Sequence, residues 1–144
     1  MQAFGVLTCY RLAALILTST IFGLLHGANP EVAKLGSIIL VYYIGTGFLF
    51  GIIALMDEGI ELTLGLHAAN NIVAALFVTT NWTVFQTDAL FIDNSEPHLS
   101  WLMFLPVFVV YPLLLWGFSK KYRWKDWQKK LTGKVERPIE ITKD

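Results

Sequence analysis

Two histidines stand inside strongly apolar stretches of this chain: His26 in Phe22-Gly-Leu-Leu-His26, and His67 in His67-Ala-Ala-Asn70-Asn71. An imidazole can move a proton near neutral pH and can donate a hydrogen bond, while an asparagine amide donates without titrating. Residues four apart share one face of a helix, so Phe22 lies over His26 and His67 lies over Asn71. Brought together between helices, two imidazoles and a carboxamide could stabilise an oxyanion and shuttle a proton. Plainer readings stand beside that one. A lone histidine near a helix end is commonly a packing or interfacial residue, and a His67/Asn71 pair could be an interhelical clamp worth about 0.6 to 2 kcal/mol in a membrane.

Apolar helices must position these groups. Apolar residues make up 55% of the chain and charged residues only 15%, and the mean hydropathy is +0.55, well beyond an ordinary soluble domain. The pattern predicts an all-α polytopic membrane helix bundle with about four spans, at 12–27, 36–56, 62–80 and 101–118, the first short of the roughly 20 residues a bilayer requires. Between them lie a connection at 28–35, an acidic turn at 57–61 and a loop at 81–100 that holds no Lys or Arg. Residues 1–119 read as the membrane core and 120–144 as a basic tail.

Charge orders the topology. Only Arg11 and Lys34 precede Lys120, and the other nine Lys and Arg follow from there, so a formal net charge of +0 conceals a basic C-terminus. Lys120, Lys121, Arg123 and Lys125 beside the last span put the tail in the cytoplasm; four crossings then place Arg11 on the same side and the 81–100 loop outside. Trp101 and Trp116 flank the last span as interfacial aromatics do, and Trp124 and Trp127 suggest a piece lying along the headgroups, with a solvated stop-transfer region as the simpler reading. Pro106 and Pro112 should bend the last span. Gly47 and Gly51, four apart, read as a close helix contact, and His98 in the outer loop reads as solvated. Cys9 is the single cysteine, so no intramolecular disulfide forms. The tail suits anionic lipid and carries no nucleic-acid-binding fold, so nucleic acid is not an expected partner.

Taken in order, Phe22-Gly-Leu-Leu-His26, the following Gly27-Ala-Asn29-Pro30, the Gly-rich Ile44-Gly-Thr-Gly-Phe-Leu-Phe-Gly51 and then Gly65-Leu-His67-Ala-Ala-Asn70-Asn71 resemble the second and third motifs, FxxxH and HxxxN, of the CPBP (Abi) family of intramembrane proteases related to the CAAX prenyl endopeptidases. The match covers about residues 14–76. No HExxH and no Gly-x-Ser-x-Gly occurs, so the patterns of zinc and serine intramembrane proteases are missing. The family's first motif, EExxxR, does not occur either; Met1-Gln-Ala-Phe-Gly5 reads like the continuation of such a segment, which implies a chain that starts a few residues beyond it.

The resemblance implies hydrolysis of peptide bonds by an activated water, with His26 assisting the water and His67 and Asn71 holding the oxyanion. Asn70, turned about 100° from Asn71, is the lesser candidate. It implies an integral membrane protein, in the bacterial plasma membrane, whose partners are the bilayer and a protein or peptide substrate. The alternative is a non-catalytic membrane binding or immunity protein of the same fold. Two histidines and an asparagine make a thin zinc set, because catalytic zinc takes three protein ligands and a water; no cofactor is expected, with zinc as the lesser reading. One geometric objection is built in. At about 1.5 Å per residue the two histidines differ in depth by about 12 Å if their helices start level.

Overall fold

The structure, a computed structural model, describes residues 2–135, so the last part of the 120–144 tail lies outside the described residues. The chain is mostly helical. Helix α1 (Gln2–Thr8) meets α2 (Arg11–Leu25) at Cys9, whose left-handed backbone (φ 59°) turns the chain. Helix α2 stops where helix formers give way to Gly27 and Asn29-Pro30. The six-residue α3 (Pro30–Leu35) then begins with proline in its first turn, where the missing N–H costs nothing. Gly36, at φ 82°, makes a turn open to few residues but glycine, and a 3₁₀ turn (Ser37–Ile39) leads into α4 (Leu40–Asp57).

Helix α4 is the central element, packed against α2, α5 (Glu61–Phe77), α6 (Tyr111–Lys121) and α7 (Trp127–Thr132). Its contact with α2 is the most extensive and depends on missing side chains. A Cβ on Gly47 would sit 2.8 Å from the backbone oxygen of Ser19, and one on Gly23 would sit 2.9 Å from the backbone nitrogen of Ile44. In lipid, where apolar surface gives little drive for helices to associate, such close backbone approach supplies the packing. The close approach thus uses Gly47 on α4 against the Ser19 backbone and Gly23 on α2 against that of Ile44, while Gly51 is buried one turn further along α4.

Three departures from the sequence expectations have physical causes. The 62–80 helix ends at Phe77, because three β-branched residues follow, and Val78–Thr80 (β1) pairs in parallel with Phe91–Asp93 (β2), Thr79 opposite Ile92. The last span, Trp101–Lys121, runs through a 3₁₀ turn and a π-helical stretch at Pro106–Val110, where proline leaves carbonyls without their usual donors, before α6 resumes. Trp124 does not lie along a surface: it is 9% exposed and packs in a core with Leu49, Ile53 and Met56, its indole N–H donating to Asp57 Oδ1 at 3.2 Å.

Two helical segments, Ser37–Asp57 and Trp101–Lys121, each 21 residues long with mean hydropathies of 2.3 and 2.0, are long and apolar enough to cross a membrane. Helices α2 and α5, of 15 and 17 residues, are shorter. The two ends of the bundle differ in character. At one end, Arg11 N–H bonds Gly133 at 3.0 Å and Lys130 Nζ reaches the Met56 carbonyl at 2.8 Å and Glu58 at 3.1 Å, so the basic tail, the start of α2 and the α4–α5 turn meet there. At the other end, the start of α4 meets Asn29, Glu31 and the loop after β1.

Candidate functional site

Away from the tail, the helices enclose a cavity of about 470 Å³. Helix α2 and the turn after it contribute Phe22, His26 and Asn29; α3 contributes Glu31; α4 contributes Tyr43 and Phe50; α5 contributes His67, Asn70 and Asn71. All three residues singled out from the sequence, His26, His67 and Asn71, line this cavity and are half-buried, with Asn70 more exposed at its edge. His98 is exposed in the 81–100 loop and takes no part in the lining.

His26 closes α2 as its last cap, and its Nδ1 lies 2.7 Å from the Phe22 carbonyl one turn back. A carbonyl only accepts, so Nδ1 carries the hydrogen and Nε2 is left as the basic nitrogen of the neutral ring. Its ring stacks on Tyr43, with centroids 4.4 Å apart and planes at 19°, and touches Phe22 at 4.7 Å. His67 packs against Phe50 at 5.0 Å and meets Phe22 edge-on at 5.8 Å. Thr63, one turn before His67, donates to the Phe50 carbonyl at 3.2 Å and fixes the register of α5 on α4. Asn70 donates to Asn71 Oδ1 at 3.4 Å, and the NH₂ of Asn71 remains a donor group.

The two imidazoles meet α4 at different residues, His26 stacking on Tyr43 and His67 packing against Phe50, seven positions apart in the helix. The cavity is long enough to hold both, and Phe22 touches both imidazoles across the interval. Asn71, one turn beyond His67, stands about 6 Å further along α5.

Glu31 went unrecognised in the sequence. It is 7% exposed, yet its carboxylate borders the cavity and accepts from the Tyr43 hydroxyl, from Asn29 Nδ2 at 3.3 Å and from the Val84 N–H at 3.0 Å. The only local signal was an acid directly after Asn29-Pro30, which reads as an ordinary first-turn helix residue. A resident metal does not fit: among the described residues no three His, Cys, Asp or Glu side chains gather as ligands.

The chain is 35% identical over 85 residues to YyaK, an uncharacterized protein of Bacillus subtilis (strain 168), covering 59% of this chain and 28% of that protein. It therefore spans little more than a quarter of that relative's length. No solved structure matches the chain. The family model for the Rce1-like type II CAAX prenyl endopeptidases matches residues 1–73, which include both His26 and His67. The chain belongs to that Rce1-like family, and with two helices fit to cross a bilayer it reads as an integral membrane protein.

Proposed function

We propose that this chain carries the His/Asn half of an intramembrane endopeptidase site, in which an activated water hydrolyses a peptide bond of a membrane-associated protein. The observation that supports this most is that His26, His67 and Asn71, from two separate motifs of a protease family, line one cavity. In this reading the water gives its proton to Nε2 of His26 and attacks the carbonyl carbon. The carbonyl oxygen, as it gains charge, takes hydrogen bonds from His67 and the Asn71 amide, and His26 returns the proton to the leaving nitrogen. No step runs through a metal. Imidazoles that meet α4 at different residues suit a peptide lying lengthwise in the cavity, with Asn71 one helical turn beyond His67.

Four crossings complete the topology in this reading. The short α2 and α5 span a locally thinned or occupied region, and the site end faces away from the cytoplasm because the basic tail sits at the opposite end. A bacterial plasma membrane accords with the Bacillus relative. The test is cleavage of membrane-anchored peptides by the reconstituted protein, wild type against His67→Ala. Cleavage lost in the variant supports the reading. A folded wild type that cleaves nothing, while still retaining a membrane protein partner, would replace it with the non-catalytic binding role.

A further inference from the structure

Glu31 is the only charged side chain buried among the described residues. No cation neutralises it: the one ion pair among those residues, Lys130 with Glu58, lies at the other end of the bundle. Burial of a carboxylate without a cation is costly, and hydrogen-bond donors must offset the lost hydration. Here they come from three segments, namely Asn29 before α3, Tyr43 on α4 and the Val84 N–H, 53 residues downstream. An acid that merely begins a short surface helix needs none of these.

The Tyr43 hydroxyl that donates to Glu31 belongs to the ring on which His26 stacks, and Asn29 Nδ2 lies 3.4 Å from the same hydroxyl. Nδ1 of His26 is meanwhile tied to the Phe22 carbonyl. The imidazole is therefore confined between Phe22 and Tyr43, and the position of Tyr43 is fixed by Glu31. The geometry points to Glu31 as a positioning residue for His26, acting through Tyr43, while its second oxygen secures Val84 as the outer wall of the cavity. This function rests on the proton-moving role proposed for His26.

Two arms test it. In the first, His-labelled protein in lipid nanodiscs is followed by NMR. The Tyr43 ring shifts the His26 ring protons upfield, and Glu31→Ala and Tyr43→Phe each move those resonances while the Trp124 indole N–H stays in place as a marker of the fold. Unmoved His26 resonances in both folded variants overturn the proposal. If Glu31→Ala does not fold, Tyr43→Phe decides, because it keeps the ring and the carboxylate and removes the hydroxyl that joins them. This arm reads no activity, so it holds whether or not the chain cleaves peptides.

In the second arm, on a cleavable peptide, each variant lowers kcat about tenfold with little change in KM, since a misplaced group costs rate rather than affinity. The double variant falls no further, because both act through one contact. Additive losses, or a change confined to KM, reject the positioning role. Absence of cleavage by wild type rejects the protease reading alone.

Discussion

The ring of Phe22 meets the imidazole of His67 edge-on at 5.8 Å, and the same ring lies 4.7 Å from His26. The phenylalanine one turn before the first histidine is thus the spacer between the two imidazoles in one cavity. Phe22→Ala should leave a gap between them. For a half-buried ring we expect a stability loss of about 2 kcal/mol and a fall in cleavage of about tenfold or more, with Phe22→Leu between it and wild type. Thermal unfolding in detergent and the peptide assay measure the two effects.

His67→Ala and Asn71→Ala should each lower kcat by about 100-fold or more, the usual loss when an oxyanion donor is removed. Asn70→Ala should cost about tenfold or less, because Asn70 acts only by holding the Asn71 oxygen. Equal effects at positions 70 and 71 would contradict that order. Steady-state kinetics on one peptide distinguishes them.

Glycines at two positions should answer alanine with opposite signs. At Gly47 a methyl group meets the Ser19 backbone at 2.8 Å, which cannot yield without separating α2 from α4, so Gly47→Ala should destabilise by about 1 to 3 kcal/mol. Around Gly65 nothing lies within 4 Å, and Gly65→Ala should stabilise α5 by about 0.5 to 1 kcal/mol through helix propensity alone. Unfolding midpoints of the two variants in the same detergent provide the comparison.

At the tail end, Lys130 reaches both the Met56 carbonyl at the end of α4 and the Glu58 carboxylate. The Glu58 side chain is 68% exposed, so its ion pair is largely screened. Glu58→Ala should change stability by less than about 0.5 kcal/mol, whereas Lys130→Ala also strips the helix end of its donor and should cost about 1 kcal/mol. Trp124→Ala should cost more than either, about 3 kcal/mol, because it empties the core under Met56.

In the 81–100 loop, the Ser95 backbone N–H, 2.9 Å from Asp93 Oδ1, holds the Asp93 carboxyl below its ordinary 3.8. A depressed folded value means that the turn is supported by the ionised form, fully so above the ordinary value, and that support is lost as the pH falls through the folded one. Amide exchange at Ser95 should therefore gain protection from its bond only on the high-pH side, and Asp93→Asn should flatten the dependence.

Some of this was legible in the residues alone. Apolar runs longer than a soluble helix needs, broken at Asn29-Pro30 and at the acidic 57–61 turn, determine where helices begin and end, because backbone groups in a bilayer have no other partner. The i, i+4 spacings determine that Phe22 and His26, and His67 and Asn71, share faces. What the local pattern could not show were the consequences of contacts between distant segments. The buried state of Glu31 depends on Val84, 53 positions away, and that of Trp124 on Asp57, 67 positions away. Each looks like an ordinary surface residue among its neighbours in sequence. Burial is a property of what packs against a side chain, and only the tertiary structure decided that Glu31 would border the histidine cavity and that Trp124 would join the core.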